Sequence, residues 1–160
     1  MILDKKHALQ QKLFRQFAET EFTKELQDEL DLTGEFNWEM HKKMARYGFM
    51  GTKIPAEYGG AGGDSLSYVL MDEEFARQDL VLAIYANTSN SLGGGPLMLA
   101  GSKEQKEKYL PRLTKGGDLG VDLFEKGGDV YVVVKCHNGK ACAEKGGEAD
   151  EDDFTPSYNK

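Results

Sequence analysis

The glycine-rich segment from Gly59 to Gly63 is one place where this sequence could bind a ligand through backbone groups. Glycine occupies four of its five positions, and closely spaced backbone N–H groups can cradle a phosphate. The spacing G-x-G-x-x-G is not present, no Lys-Ser or Lys-Thr pair follows, and no β-prone run precedes the segment. We therefore interpret it as a turn, with phosphate binding as the alternative.

The adjacent carboxylates Glu73 and Glu74 are a second candidate, because paired carboxyl groups can act as general acid and base. They fall in a stretch with helical spacing, where neighbouring positions point about 100° apart. Two side chains at that angle do not converge on one substrate atom. We predict a solvated face or an ion pair with Arg77, and we assign no catalytic residue.

Thiol and imidazole groups that could bind a metal are the third candidate. Cys136, His137 and Cys142 are close in sequence, but the paired C-x₂-C of common zinc sites is missing. We predict no metal site. His7 and His41 are isolated in the sequence, and surface or capping roles are the expectation for both.

Capping signals and hydrophobic periodicity predict five or six helices with short connections over residues 4–113, an all-α bundle. Asp4, Asp64 or Ser65, and Ser102 with Gln105 are N-terminal signals, and Gly48 is a C-terminal signal. The first helix either stops early or continues through Leu30, before an interruption at Asp31, Thr33 and Gly34.

Glycine and proline predict the later boundaries. The apolar stretch from Asp79 to about Leu92 suits a buried helix, which Gly93–Gly95 would break and Pro96 would restart. The last helix is predicted to end near Leu110, because Pro111 follows. The periodicity further predicts a buried core that includes Leu13, Phe17, Met44, Phe49, Val69, Leu70, Phe75, Ile84 and Leu99.

The composition changes after Gly117. Residues 1–117 contain 15 Lys and Arg against 17 Asp and Glu, whereas residues 118–160 contain 5 against 10. Val130–Val134 is a β-prone run, and Asn138-Gly139 is a hairpin signal. We expect the hairpin to dock on the bundle's apolar face at Ile84–Leu92, and the acidic tail, residues 144–160, to be largely disordered.

Charge, hydropathy and cysteine content exclude several classes of partner and environment for this chain. The net charge is −7 with no basic patch, so nucleic acid is not expected as a partner. No apolar run reaches the roughly 20 residues that a membrane span needs. The chain has two cysteines, too few for a disulfide scaffold, which fits a reducing cytoplasm.

Short motifs in a fixed order cover residues 5–117. They are FAE (Phe17–Glu19), GEF (Gly34–Phe36), GFMG (Gly48–Gly51), P-x-E-Y-G-G-x-G-G-D (Pro55–Asp64), L-S-Y (Leu66–Tyr68), EE-x-A-R (Glu73–Arg77) and G-S-x-E-Q-K-x-K-Y-L-P (Gly101–Pro111). This set resembles the N-terminal helical domain of the acyl-CoA dehydrogenases, and most closely resembles the short-chain, butyryl-CoA dehydrogenase-like members.

The resemblance implies a three-part flavoenzyme: this helical domain, a middle β-domain, and a C-terminal four-helix domain with a glutamate base. It implies FAD, an oligomer, and α,β-dehydrogenation of an acyl-CoA with electrons passing to electron-transferring flavoprotein. It also implies that one wall of the acyl pocket is formed by Ile84, Tyr85, Thr88 and Leu92. Without the resemblance, Tyr85 and Leu92 would be interpreted simply as core residues.

The resemblance fails after Leu119-Gly120, where Val121–Asp129 replaces the family's L-T-E-P run and G-T/S-D element. We therefore divide the chain into a helical domain, residues 1–117, and a truncated or scrambled remnant of the β-domain, residues 118–160. The glutamate base has no counterpart here, so we expect a fragment or derivative that is inactive alone, with no cofactor-binding residue. The alternative is a non-catalytic helical interaction module that self-associates.

Overall fold

The computed structural model describes residues 3–126, 129–136 and 141–144. Seven α-helices and three strands lie in this part of the chain. The helices are α1 (Lys5–Glu21), α2 (Lys24–Thr33), α3 (Trp38–Arg46), α4 (Ser65–Gln78), α5 (Leu80–Asn87), α6 (Gly94–Ala100) and α7 (Lys103–Thr114). Short 3₁₀ helices span Phe49–Gly51 and Ala56–Tyr58, and a π-helical segment spans Thr88–Gly93. The strands are β1 (Asp118–Lys126), β2 (Asp129–Cys136) and β3 (Ala141–Glu144). The fold is mainly α, as predicted.

Side-chain caps fix where the helices begin. The carboxylates of Asp4 and Asp64 accept the N–H groups of His7 and Ser67, each at 2.8 Å. Ser102 and Gln105 form the predicted reciprocal capping box at the start of α7. These N-terminal predictions are confirmed, with Asp64 rather than Ser65 as the cap of α4.

The first helix does not continue through Leu30. It ends at Glu21, and Thr23 starts α2 by accepting the Leu26 N–H at 3.3 Å. Helix α2 then ends at Gly34, which has a φ of 65° that favours glycine. Gly48 has a φ of 82° just beyond α3, as its C-cap signal predicted.

Two predicted helix boundaries are wrong because tertiary packing outweighs the tendency of glycine and proline to end a helix. Gly93–Gly95 do not break the chain, which stays helical from α5 through the π segment into α6. Gly94 serves close packing instead, since an added Cβ would lie 2.6 Å from the Ser89 carbonyl oxygen. Pro111 lies inside α7, which continues to Thr114 because Leu113 and Thr114 are buried.

The main core is an aromatic cluster between α1, α4 and the turn after α3. Phe17 lies 4.8 Å from Phe49 and 5.7 Å from Phe75, measured between ring centroids, and Phe49 lies 5.1 Å from Phe75. The Phe17–Phe49 and Phe49–Phe75 pairs are edge-to-face, an arrangement that adds to the free energy of burying the rings. A second, smaller core beneath α6 and α7 contains Ile54, Leu97, Tyr109, Leu110 and Leu113.

The burial predictions succeed for five residues and fail for four. Phe17, Met44, Phe49, Leu70 and Phe75 are buried as predicted. The exposed fractions are 52% for Leu13, 55% for Val69, 49% for Ile84 and 90% for Leu99. Periodicity marks the apolar side of a helix but does not show which positions along that side another element covers.

The three strands form one antiparallel sheet in the order β1–β2–β3. The β-prone run Val130–Val134 lies in β2, as predicted. The strand whose backbone comes close to Thr88–Gly93 is β1 rather than β2, so the sheet meets the predicted docking segment through its first strand. Asn138-Gly139 and residues 145–160 lie outside the described residues.

A buried ion pair joins α1 to α4. Glu74 is 1% exposed and accepts hydrogen bonds from the Arg15 guanidinium and from Gln11, each at 2.8 Å. The Arg15 hydrogen bond is the main cause that lowers the pKa of Glu74. The predicted ion pair with Arg77 is confirmed for both carboxylates, since the Arg77 guanidinium lies 3.2 Å from Glu73 and 3.7 Å from Glu74. The other alternative, a solvated face, is wrong for Glu74, which is buried.

We expect Glu74→Gln to reduce the free energy of unfolding by about 1–3 kcal/mol, because a buried charge-assisted pair is lost. The matched control is Glu73→Gln, one residue away and exposed, for which we expect less than ~0.5 kcal/mol. Because the pKa of Glu74 is lowered on folding, its stabilisation is present above the pKa of the unfolded state and is lost as pH falls through the lowered value. Urea unfolding at several pH values measures both effects, and equal losses in the two variants would contradict the assignment.

Candidate functional site

The exposed side of the helical rod α5–π–α6 brings together three of the four residues predicted to form an acyl wall. Ile84 and Leu92 are 49% and 59% exposed, and Thr88 between them is half-buried. The Thr88 hydroxyl donates to the Ile84 carbonyl oxygen at 2.7 Å, so its polar group is already bonded within the helix. Val81, 50% exposed, extends this apolar strip by about one turn.

Tyr85 lies on the buried side of the same helix. It is 6% exposed, and its ring stacks on Phe36 with centroids 4.1 Å apart. Its hydroxyl oxygen accepts the Asn37 backbone N–H at 3.0 Å, and burial raises the pKa of the phenol. The structure therefore separates Tyr85 from Ile84, Thr88 and Leu92 and gives it a role in anchoring the start of α3.

Asn90 holds the π segment in place, and its importance was missed in the sequence. Its amide nitrogen donates to the carbonyl oxygens of Phe49, at 2.6 Å, and Ala86, at 2.9 Å. Its amide oxygen accepts the Lys53 N–H at 3.1 Å. Asn90 is 1% exposed, so these bonds satisfy backbone groups shielded from water. The sequence carries no distinctive signal for it, because Asn90 lies in the polar run Asn87–Ser91.

A polar cluster fixes α5 against α4 beside the apolar strip. The Asn87 amide donates to the Tyr68 hydroxyl at 2.7 Å and to the Asp72 carboxylate at 3.2 Å. Burial raises the pKa of Asp72, and burial followed by the nearby Asp72 charge raises the pKa of Tyr68. The Lys53 ammonium lies 4.5 Å from the centre of the Tyr68 ring, a cation–π distance. This cluster sets the orientation of the helix that carries the strip.

The glycine loop is a packing turn rather than a phosphate cradle. Its five N–H groups donate internally, at 2.7–3.1 Å, to the carbonyl oxygens of Ala56, Pro55, Gly51, Ile54 and Thr52. At Gly60 an added Cβ would lie 2.0 Å from the Ile54 carbonyl oxygen, so only glycine fits. The loop therefore does not fit the pyrophosphate of a flavin dinucleotide.

The histidines occupy different environments. His41 is fully buried, contrary to the expected surface or capping role, and packs edge-on against Phe36 at 5.4 Å and Trp38 at 5.6 Å. His7 is also buried, so the surface role is wrong for it, and the N-cap of α1 is Asp4, whose carboxylate accepts the His7 N–H. Among the described residues, no group of three or more His, Cys, Asp or Glu side chains is arranged to hold a metal ion. His137 lies outside them.

Residues 4–117 match the family model described as acyl-CoA dehydrogenase, N-terminal domain, and this chain therefore belongs to the acyl-CoA dehydrogenase family. No helix in the described part of the chain is long and apolar enough to cross a bilayer.

Two bacterial proteins are similar to this chain at 48% identity. One is the CarC subunit of the caffeyl-CoA reductase-Etf complex of Acetobacterium woodii, matched over 79% of this chain and 34% of its own length. The other is the 3-(aryl)acrylate reductase of Clostridium sporogenes, matched over 72% of this chain and 30% of its own length. This chain thus spans about a third of the length of the curated relatives that it matches.

A solved structure shows the same fold. The butyryl-CoA dehydrogenase of Megasphaera elsdenii matches with a TM-score of 0.68 at 31% identity, over 79% of this chain and 34% of that one. The match to a short-chain enzyme agrees with the resemblance stated from the motifs.

We expect Asn90→Ala to reduce the free energy of unfolding by about 2–5 kcal/mol, because three buried backbone groups lose their partner. The control is Thr88→Ala, two positions earlier in the same π segment, for which we expect less than ~1 kcal/mol. Chemical denaturation followed by circular dichroism gives both values. Similar losses in the two variants would show that Asn90 does not hold the segment.

Proposed function

We propose that this chain supplies the N-terminal wall of the acyl pocket of a flavin-dependent enzyme that acts on the C2–C3 bond of an acyl-CoA thioester. The observation that carries the proposal is the exposed apolar strip of Ile84, Thr88 and Leu92. These side chains lie on a rigid rod and face away from both hydrophobic cores, so they are available to a ligand or a covering domain.

The proposed reaction is the family's α,β-dehydrogenation of a short acyl-CoA, with FAD as acceptor and electron-transferring flavoprotein as the partner that reoxidises it. The name of one relative, the caffeyl-CoA reductase-Etf complex subunit, supports electron-transferring flavoprotein as the partner. Three relatives are named for the reverse reaction, reduction of the double bond: that protein, 3-(aryl)acrylate reductase and acryloyl-CoA reductase (NADH). We propose an oligomeric enzyme on the grounds of family membership, and a cytoplasmic location because the chain has only two cysteines.

The chemical steps need groups that the described helices do not supply. A base would be needed to remove the C2 proton, and a bound flavin would supply the acceptor for the C3 hydride. The N–H groups of the glycine loop are hydrogen-bonded to backbone carbonyls of this chain, and the buried Glu74 carboxylate is paired with Arg15. We therefore propose that the helical domain contributes binding and positioning only, and that the 160-residue chain alone does not turn over.

The alternative is a non-catalytic helical module that self-associates. The exposed fractions of Leu80 and Leu99, 65% and 90%, favour it, because large exposed apolar side chains mark contact surfaces. Both proposals leave the isolated chain colourless and inactive, so the chimera described next separates them: flavin binding and turnover support the first proposal, whereas a folded chimera that binds no flavin supports the module. Light scattering of the isolated chain then measures the self-association itself.

The proposed wall is tested in a chimera in which residues 4–117 replace the matching segment of the Acetobacterium woodii relative. We expect the chimera to keep its flavin and to turn over. Leu92→Trp in the chimera should lower kcat/KM by about tenfold or more, because the bulky ring displaces the acyl chain.

The matched control is Leu32→Trp, on a leucine that is 87% exposed on α2, away from the strip. It should leave kcat/KM unchanged. If the chimera turns over and Leu92→Trp and Leu32→Trp change its kcat/KM equally, the assignment of Leu92 to the acyl wall is wrong. A chimera that does not bind flavin would count against the family reaction itself.

For the isolated chain, we expect no flavin absorbance and no dye-linked oxidation of butyryl-CoA when FAD is added. Loss of catalytic groups typically reduces rates by several orders of magnitude. Turnover above that of buffer, if heat denaturation of the chain abolishes it, would contradict the proposal that the helical domain contributes binding and positioning only.

A further inference from the structure

His7 lies between the N-terminal caps of two helices. Its Nδ1 is 2.9 Å from Asp4, the cap of α1, and its Nε2 is 3.0 Å from Asp64, the cap of α4. The imidazole is only 8% exposed. Asp4 and Asp64 also accept backbone N–H groups of their own helices, so their positions are fixed by the caps. His7 thus joins two helix termini through both ring nitrogens.

Only the protonated imidazole satisfies this arrangement. A neutral imidazole carries one N–H and one lone pair, so it donates to one carboxylate and turns a lone pair toward the other. The imidazolium has two N–H groups and donates to both. The other charged group at the site is Lys6, 3.4 Å from Asp64, and the neutral Ser67 and Gln10 complete the surroundings. Since no second cation contacts Asp4 among the contacts described, the imidazolium is its ionic partner.

We propose that His7 is a proton-operated clamp that ties the first turn of α1 to the N-terminus of α4. When His7 loses its proton, one of the two links is lost, and the first turn of α1 loosens while the rest of α1 stays packed. The Gln10–Ser67 hydrogen bond at 2.9 Å, and beyond it the Arg15–Glu74 pair, limit the loosening to the first turn.

The direction of the pH dependence follows from the partners. The hydrogen bond to Asp64 is the main cause that raises the pKa of His7, and the pKa of Asp64 is lowered by its cap hydrogen bond and then by His7. A raised histidine pKa stabilises the fold below the pKa of the unfolded state, ~6.5, and this stabilisation is lost as pH rises through the folded value. Asp4 and Asp64 must be ionised to accept these bonds, which requires a pH above their lowered pKa values. The clamp is therefore closed below pH ~6.5 and opens as pH rises through the raised pKa of His7.

The clamp is tested by hydrogen exchange and by titration of the imidazole in the full chain. We expect the amides of His7, Ala8 and Leu9 to exchange several-fold faster at pH 8.5 than at pH 5.5, after correction for intrinsic rates, with little change in the second half of α1. In His7→Gln this pH dependence should disappear. The matched control is Lys6→Gln, which removes the other cation beside Asp64 and should keep the wild-type pH profile.

The imidazole titration makes the test independent of the variants' folding. The proton resonances of His7 in the unmodified chain should titrate at a pH above 6.5, whereas a midpoint at or below 6.5 would overturn the proposal. An unchanged exchange profile in a folded His7→Gln chain would overturn it as well.

Discussion

The side chain of Asn90 connects parts of the backbone that no helix ladder connects. It joins the π segment to the end of α5, to the 3₁₀ turn at Phe49 and to the chain at Lys53. Main-chain groups buried without partners cost free energy, so the route of the chain after α3 and the π segment stabilise each other through this amide. Phe49 and Ala86 belong to the main core, and Lys53 directly precedes Ile54 of the second core, so this one amide is bonded to backbone that serves both.

Close contacts through glycine are the second constraint. Gly60 lets the loop lie against the Ile54 carbonyl, and Gly94 lets the helical rod lie against the Ile54 side chain, where an added Cβ would be 3.1 Å from Cδ1. Ile54 is 1% exposed and is thus enclosed from two sides by backbone. The glycine-rich sequence that suggested phosphate binding is explained by packing, since its N–H groups are internally bonded.

Local interactions were the part of this structure that the sequence could predict. The caps at Asp4, Asp64 and Ser102 involve a side chain and a backbone group three positions apart, so they are visible in a short window. Burial of Phe17 and Phe75 followed from periodicity. The helical course of Gly93–Gly95 and the continuation past Pro111 could not be predicted, because contacts with distant residues decide both.

The candidate site was predictable only in part for the same reason. The resemblance assigned Ile84, Tyr85, Thr88 and Leu92 to one wall, but neighbours along a helix face different directions, and the structure places Tyr85 on Phe36. The burial of His41 and the hydrogen bonds of Asn90 depend on elements far away in sequence. A single sequence does not contain those contacts in a readable form.

The unbroken rod from Leu80 to Ala100 has a mechanical consequence. Its far end is seated in the second core through Leu97, which is 1% exposed, while its near end carries Ile84. The near end is seated as well, because Leu82 and Tyr85 lie in the main core. Since one continuous rod spans both cores, the exposed residues Ile84, Thr88 and Leu92 keep a fixed spacing, and the width of any cleft that they bound depends on how the two cores are placed relative to each other along the rod.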